Sequence, residues 1–503
     1  MATLVLGTLP LLGLAPRPRF ARAPTPRATL PSTELAELEP WLLERGGASA
    51  VACGEHDGVR GLVATRDAAT GDVLLEVPVS ACLLSAGDSD SGLPGEPPSW
   101  AATLPWNVQL ALSVLRHEAD AASEFAPFLR SWPEEAPPLP SGLDAEQLSE
   151  AHDRAFETEA DTAYFWAGEQ YVAAFEAAEA AAAADGAAFS FYPQERFMRA
   201  LYFVWSRCLR LSAGPTLGVR RLLVPVLDLA NHDGAEPSAL YAYSGAGRTG
   251  DCIRLHAARP LRAGDAVTIT YGEHTSSHFA LYYGFVPRVN PHDYLSFSLA
   301  ALLAAAPDDA APDDGWIAAL TAADASGLPT TALQLRAAAP DEAADLALRA
   351  ALQPDEAVYL ANTLAAIEAD ELDEDDLIEL DTDEAAAERA ALLAGICAGL
   401  EAAELSTVEE DEAALAAAAL PPAVRLCVEV RLARKRLLRE LQASMREIAA
   451  APDDACSKLA FRQRAPSTYP ALDAIPASEL AGWAELRWDA SSALPGVKLR
   501  GVE

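Results

Sequence analysis

Two short stretches of this 503-residue chain decide its fold: residues 224–233, VPVLDLANHD, and residues 269–272, ITYG. Each stretch reads as a buried apolar strand that ends in polar residues. Buried Asn and His side chains destabilise a fold unless their polar atoms find partners. A polar ligand or an internal Asx turn would satisfy Asn231 and His232, and the spacing alone leaves both interpretations open.

Strand-like sequence lies in two blocks, the first at residues 59–79 and the second with predicted strands at residues 222–229 and 252–271. Each block contains an Arg followed five residues later by Gly-Asp and then an apolar strand, at residues 66–72 and again at residues 259–265. This internal repeat predicts two hairpins of one small β domain. Between the blocks, at about residues 85–215, apolar residues recur at helical spacing in long stretches such as residues 143–184 and 194–211, which predicts a helical insertion.

The last third of the chain is dominated by Ala, Leu, Asp and Glu, which predicts helices. We therefore expect an α+β protein with a mixed domain at residues 33–297, a helical domain at residues 298–480 and a tail at residues 481–503. Residues 425–446 form a basic helix in an otherwise acidic region. Its charges favour either docking of a protein partner or internal pairing with this chain's own acids.

The overall charge limits the possible partners. Lys and Arg number 37 against 74 Asp and Glu, a net charge of −37, so we expect no nucleic-acid partner. The seven cysteines are scattered and form no Cys-x-x-Cys pair, which predicts reduced thiols and no cysteine-ligated zinc. No apolar run reaches the roughly 18 residues that span a bilayer, so we expect no membrane segment.

Residues 1–32 differ in composition from the rest of the chain. They contain no acid, and their basic residues are Arg17, Arg19, Arg22 and Arg27. Such a leader is typical of an organelle transit peptide, and its apolar front half also resembles a signal-peptide core. We interpret it as a targeting peptide for a plastid. The alternative is that this segment carries no targeting signal and that the protein is cytoplasmic.

Residues 245–250 match the Gly-x-Gly-x-x-Gly fingerprint of dinucleotide-binding proteins. That fingerprint requires a following helix whose N-terminus binds pyrophosphate. Residues 251–256 read as a strand instead. The six residues are therefore predicted to be a hairpin loop.

The stretches 224–233 and 269–272, together with residues 281–287, LYYGFVP, resemble the SET-domain protein methyltransferases. The insertion and the helical region resemble the branch typified by the Rubisco large-subunit lysine methyltransferase, whose C-terminal domain binds the protein substrate. The resemblance covers about residues 40–450. It implies a small β-rich SET core split by a helical insertion, an all-α C-terminal substrate-binding domain, S-adenosyl-L-methionine as cofactor and no metal.

Site residues follow from the resemblance by position. It implies that the cofactor is bound by Gly58, Val59, Arg60, Asn231, His232 and Tyr271. It also implies that Tyr271 is the catalytic residue. The channel for the substrate lysine would be lined by Arg207, Asp228 and Tyr283.

One segment departs from the family pattern. After Tyr271 and Gly272 the family usually shows Ser-Asn-x-Glu-Leu, whereas residues 276–281 here are SSHFAL. The resemblance implies a protein-lysine N-methyltransferase that acts on a non-histone protein. A protein-histidine methyltransferase and a catalytically inactive SET-fold protein-binding scaffold remain as alternatives.

Overall fold

The computed structural model describes residues 32–56, 59–87, 92–186, 189–212, 217–272, 274–297, 333–336, 383–417 and 420–451. Gly58, residues 1–31 of the predicted targeting peptide and the predicted tail lie outside the described residues. Within them the chain is a mixture of helices and small sheets, so the predicted α+β class is confirmed.

The strands, in chain order, are β1 (Ala48–Ser49), β2 (Val51–His56), β3 (Val59–Ala64), β4 (Val73–Pro78), β5 (Leu83–Leu84), β6 (Leu209–Ser212), β7 (Val219–Leu223), β8 (Asn231–His232), β9 (Ala239–Gly247), β10 (Gly250–Ala257), β11 (Ala266–Ile269), β12 (Tyr294–Phe297) and β13 (Leu333–Arg336). The helices are α1 (Ser32–Glu44), α2 (Trp106–Ala119), α3 (Ala126–Arg130), α4 (Ala145–Ser149), α5 (Arg154–Asp185), α6 (Gln194–Arg207), α7 (Ser276–Tyr283), α8 (Asp383–Ala402), α9 (Val408–Ala416) and α10 (Pro422–Ala450).

The described strands form small sheets with the orders β1-β4-β10-β9, β2-β3-β11-β8, β5-β7-β6 and β12-β13. β8 and β11 pair in parallel, and the other pairs are antiparallel. β13 lies in the region that was predicted to be helical. The predicted hairpin at residues 245–250 is confirmed, but its loop is shorter than predicted, because residues 245–247 end β9 and Gly250 begins β10.

The internal repeat is arranged differently from the prediction of two hairpins, which was wrong. β3 and β4 lie in different sheets, and each pairs with a strand from the other copy of the repeat: β3 with β11 and β4 with β10. The turn of each copy of the repeat also bonds to the other copy. The Gly71 N–H donates to the Ala257 carbonyl, and the Gly264 N–H donates to the Ala64 carbonyl, each at 2.8 Å. Turn residues mark where a strand ends but not which strand it joins.

The helical insertion shares its core with the strands. One continuous apolar cluster contains β4, β10 and β11 residues together with α2 and α6. The predicted single helical stretch at residues 143–184 is divided, since α4 ends at Ser149 and α5 begins at Arg154. The Asp153 side chain caps α5 by accepting the N–H groups of Ala155 and Phe156. The insertion is thus packed onto the β core rather than set apart from it.

Helix α10 carries the basic residues for which two interpretations were open. The structure pairs six of its seven basic residues with acids: Arg425 with Glu429, Arg431 and Lys435 with Asp411, Arg434 with Glu404, Arg436 with Glu412, and Arg439 with Glu401. Internal pairing is therefore the arrangement of this helix.

Helix α10 also fixes the C-terminal helices to the insertion. Arg431 donates through Nη1 to the Glu150 carbonyl at 2.7 Å and to the Glu150 carboxylate at 3.0 Å. Leu426 and Val430 pack into one apolar cluster with Leu281 of α7. Among the residues that the structure describes, no helix has the length and apolar character needed to cross a bilayer.

Candidate active site

The stretch predicted as one strand at residues 222–229 is broken in the middle, so that prediction was wrong. β7 ends at Leu223, and a 3₁₀ turn occupies Leu227–Leu229. Between them Pro225 has no N–H for a ladder. Val226 has φ 69° and ψ −48°, close to the rare γ-turn geometry. Such a conformation of a β-branched residue costs on the order of 1–3 kcal/mol, and strain of this kind concentrates at functional sites.

The chain leaves this turn as β8, which aligns with the end of β11. Asn231 and His232 pair with Thr268 and Ile269, and the Asp233 N–H donates to the Ile269 carbonyl at 2.9 Å. An Asx turn is present, but it is formed by Asp233 and not by Asn231 or His232. It is the Asp233 carboxylate that accepts the N–H groups of the turn that follows.

Tyr271 lies where these two strands end. Its hydroxyl donates to the Ala230 carbonyl at 2.6 Å, and its ring stacks on Tyr283 with centroids 5.2 Å apart. Burial raises the pKa of Tyr271, and the nearby Asp228 and Tyr241 add to the effect. The phenol therefore stays protonated at neutral pH. It can donate and accept hydrogen bonds but carries no charge.

His232 supports the backbone of Tyr271. The Tyr271 N–H donates to His232 Nδ1 at 3.1 Å, so this nitrogen carries no proton. The imidazole packs on Phe279 with centroids 4.5 Å apart. His232 Nε2 is buried and has no hydrogen-bond partner among the described residues. Burial lowers the pKa of His232 to about 4, so the ring is neutral at pH 7.

We expect acidification to destabilise the folded chain through His232. Its pKa is about 4 in the folded chain against 6.5 normally; Asp233 raises it, while His292 and His274 lower it. Between these values the unfolded chain binds more protons, so this stability is complete above pH 6.5 and is lost as the pH falls towards 4. His232→Gln, which cannot titrate, should reduce the change in urea midpoint between pH 7 and pH 5; part of the change should remain, because burial also lowers the pKa of His274 and of His278. An unchanged pH dependence in the variant would contradict this assignment.

Asn231 ties β8 to β3. Its Nδ2 donates to the Arg60 carbonyl at 2.8 Å. A Cβ on Gly61 would lie 2.3 Å from that nitrogen, so only glycine allows this approach. The Arg60 side chain donates to Cys53 Sγ at 3.4 Å, and Val59 is exposed. Among the described residues that were predicted to hold the cofactor, Asn231 thus contacts Arg60, and His232 contacts Tyr271.

Arg207 and Asp228, the predicted channel residues, form a buried ion pair. The Asp228 side chain is fully buried. Arg207 Nη1 donates to Asp228 Oδ2 at 3.0 Å and to the Asp228 carbonyl at 3.1 Å. Trp132 Nε1 donates to the same Oδ2 at 2.9 Å. Burial raises the pKa of Asp228, although Arg207 and Trp132 act against it.

Two residues of this site were not predicted. Trp132 follows α3 in the insertion, where its sequence context is that of an ordinary core aromatic. Tyr241 lies on β9, where the alternation of Tyr and Ala indicates which residues share a face of the strand. Neither pattern indicates that the side chain lies beside Asp228 or Tyr271, because these neighbours are distant in sequence.

The segment that departs from the family pattern begins α7. Thr275 caps the helix, and the Ser276 N–H donates to the Asp293 carboxylate at 3.0 Å. The Ser276 hydroxyl also bonds Asp293, and Asn290 Nδ2 donates to the His274 carbonyl at 2.9 Å. Side chains from the segment before β12 therefore hold the start of α7 in this chain.

The arrangement suits an organic ligand. Asp228 Oδ1 and His232 Nε2 are buried polar atoms without partners among the described residues, so an acceptor and a nitrogen are left for a ligand. Tyr271 lies near the carboxylate and stacks on Tyr283, and an aromatic surface near a carboxylate favours a cationic or amine group. Within the described ranges, no group of three His, Cys, Asp or Glu side chains has the geometry to hold a metal ion.

No family model and no curated protein matches the sequence. Solved structures do match. The SET domain of LSMT bound to lysine and AdoHcy has a TM-score of 0.56 and 18% identity, over 84% of this chain and 94% of that chain. Rubisco LSMT bound to sinefungin and monomethyllysine has a TM-score of 0.56 and 16% identity, over 84% and 94%. Rubisco LSMT bound to AdoMet has a TM-score of 0.54 and 16% identity, over 84% and 93%. The chain therefore adopts the SET-domain fold in the form found in Rubisco LSMT.

Proposed function

We propose that the protein is an S-adenosyl-L-methionine-dependent protein-lysine N-methyltransferase that acts on a non-histone protein. The observation that carries the proposal is the buried, protonated Tyr271 hydroxyl at the meeting of β8 and β11. It lies beside the Asp228 carboxylate and the ring of Tyr283. Structures with this fold hold AdoMet or AdoHcy and a lysine or methyllysine, which supports the same pair of ligands here.

The residues around β3 and β8 fit the proposed cofactor. Asn231 is fixed on the Arg60 carbonyl, and the absence of a Cβ on Gly61 lets the strands approach closely. His232 contributes a buried nitrogen that lacks a partner among the described residues. We assign Gly58, Val59, Arg60, Asn231, His232 and Tyr271 to the binding of S-adenosyl-L-methionine. When bound, this cofactor supplies a methyl group activated by a sulfonium.

The remaining residues prepare the substrate amine. A lysine with a pKa of about 10.4 is almost entirely protonated at pH 7 and must lose a proton before it attacks a methyl group. Contact with Tyr271 and Tyr283 removes water and so disfavours the ammonium form. Because the Tyr271 hydroxyl donates to the Ala230 carbonyl, its oxygen is free to accept an N–H of the amine and to orient the nitrogen lone pair. The Asp228 carboxylate attracts the substrate lysine while the lysine is still an ammonium ion.

The helical C-terminal region is proposed as the docking surface for the protein substrate. Six of the seven basic residues of α10 are already paired with acids, so the proposed docking rests mainly on other parts of that region. Residues 276–281 at the start of α7 lack the Asn and Glu of the usual Ser-Asn-x-Glu-Leu pattern. This difference favours the alternative of a protein-binding scaffold that has lost catalysis. Histidine as the target remains the alternative within the enzyme class.

One experiment separates these functions. The protein is incubated with stromal proteins and isotope-labelled S-adenosyl-L-methionine, and the labelled peptides are sequenced by mass spectrometry, alongside calorimetry of cofactor binding. Label on lysine is the expected result. Label on histidine would replace the proposed target. Absence of both label and cofactor heat would favour the scaffold.

We propose that the leader directs the protein to plastids. A reporter fused after residue 33 is expected to enter plastids, because the leader combines four arginines with no acid. A fusion that lacks residues 1–33 is the matched control and should stay in the cytosol. Cytosolic fluorescence from both fusions would show that the leader is not a plastid-targeting signal.

A further inference from the structure

The Asp228 carboxylate is held from two sides by residues far away in sequence. Arg207 ends α6, Trp132 follows α3, and Asp228 lies in the 3₁₀ turn before β8. Both donors bond the same oxygen, Oδ2, at 2.9 Å from Trp132 and 3.0 Å from Arg207. The other oxygen, Oδ1, is buried and has no partner among the described residues.

Trp132 contacts both members of this ion pair. Its indole N–H bonds Asp228, and the Arg207 guanidinium lies 5.7 Å from its ring centroid. The ring is 3% exposed and packs on Phe128 and Phe203, with centroids 5.4 and 5.0 Å away. Because the indole is enclosed on these sides, the direction of its N–H is fixed. A fixed donor on Oδ2 in turn fixes the plane of the carboxylate and the direction of Oδ1.

We infer that Trp132 is a positioning residue that fixes the orientation of the Asp228 carboxylate, so that Oδ1 is presented to the cationic side chain of the protein substrate. This inference rests on the proposed function. Trp132 acts through Asp228 and is not itself a catalytic residue. Its hydrogen bond acts against the effect of burial, which otherwise favours the neutral carboxyl.

The first test is Trp132→Phe, which keeps an aromatic ring and removes the N–H. We expect KM for the protein substrate to rise roughly 10- to 100-fold, the range for loss of a hydrogen bond to a charged group, with a smaller change in kcat. The Trp132 hydrogen bond lowers the pKa of Asp228, so its loss should raise that pKa. The acidic side of the pH profile of kcat/KM, its acid limb, should therefore move to higher pH.

Trp41→Phe is the matched control. Trp41 is 6% exposed, its Nε1 donates to the Glu124 carbonyl at 2.8 Å, and the Arg45 guanidinium lies over its ring. It therefore loses a similar indole hydrogen bond away from Asp228. Its KM and acid limb should match those of the wild type. Equal kinetic behaviour of the two variants would overturn the inference.

The second readout does not depend on activity. In the full chain labelled with ¹⁵N-tryptophan, the indole resonance that disappears in Trp132→Phe belongs to Trp132. Its chemical shift should follow the titration of Asp228 and become independent of pH in Asp228→Asn. A resonance that titrates equally in Asp228→Asn would overturn the inference. Failure of the wild type to methylate any protein would refute the proposed function but leave this readout intact.

Discussion

Tyr271→Phe is expected to lower methyl transfer by about 10²- to 10⁴-fold, the usual loss when a positioned group that handles a proton is removed. The substitution removes only the oxygen that bonds the Ala230 carbonyl. The ring keeps its stack on Tyr283, and the backbone N–H keeps its bond to His232. Stability should therefore fall by only about 0.5–1.5 kcal/mol, the net worth of one hydrogen bond.

The measurement combines turnover on a protein extract with calorimetric titration of S-adenosyl-L-methionine. Tyr171→Phe is the control, because the Tyr171 hydroxyl also donates to a backbone carbonyl, that of Tyr192, at 2.9 Å in the insertion. That variant should keep normal turnover. Near-normal turnover of Tyr271→Phe would refute the catalytic assignment. Loss of cofactor binding would instead assign Tyr271 to the cofactor pocket.

Asp411→Asn is expected to destabilise the C-terminal helices by about 3–5 kcal/mol, the cost of leaving a buried charge without its counter-ion. Asp411 is fully buried and accepts hydrogen bonds from Arg431 at 2.9 Å and Lys435 at 2.7 Å. Burial acts to raise the pKa of Asp411, but these hydrogen bonds hold it below its usual value. The amide would leave the buried Lys435 ammonium without the carboxylate that it pairs with, while Arg431 would keep its ion pair with Glu150.

The comparison uses urea unfolding of Asp411→Asn and of Glu412→Gln. Glu412 pairs with Arg436 at the surface, where about half of each side chain is exposed, so its loss should cost less than about 1 kcal/mol. Lys435→Met added to Asp411→Asn should recover part of the lost stability, since it removes one uncompensated cation. Equal midpoints for Asp411→Asn and Glu412→Gln would show that the buried cluster contributes no more than a surface pair.

Much of the fold follows from local sequence. Periodicity identified the helices of the insertion, and the strand predicted after residue 250 is β10. The partners of the strands did not follow, because β3 and β4 pair with segments from the far side of the insertion. The strand predicted at residues 222–229 failed because its apolar composition suits a buried turn as well as a buried strand. Pro225 and Val226 decide between them through backbone geometry.

For the candidate site, the sequence likewise predicted which residues take part but not the contacts that their atoms make. Asn231, His232 and Tyr271 stand at the ends of apolar stretches, and the parallel pairing of β8 with β11 brings them together. The roles of individual atoms depend on contacts that no spacing encodes. His232 Nδ1 accepts a backbone N–H, and Asp228 receives its second donor from Trp132. Such contacts join segments that meet only in the folded chain.

The crosswise pairing of the repeat has a consequence for the order of synthesis. β3 and β4 leave the ribosome long before β11 and β10, and the contact between Asp67 and Ala263 spans 196 residues. Until the second copy of the repeat emerges, the first copy has unpaired strand edges, which are prone to join other chains. The insertion helices are made during this interval, and α2 and α6 share the apolar core of the strands. These helices can therefore cover the apolar face of the unpaired strands before the sheets close.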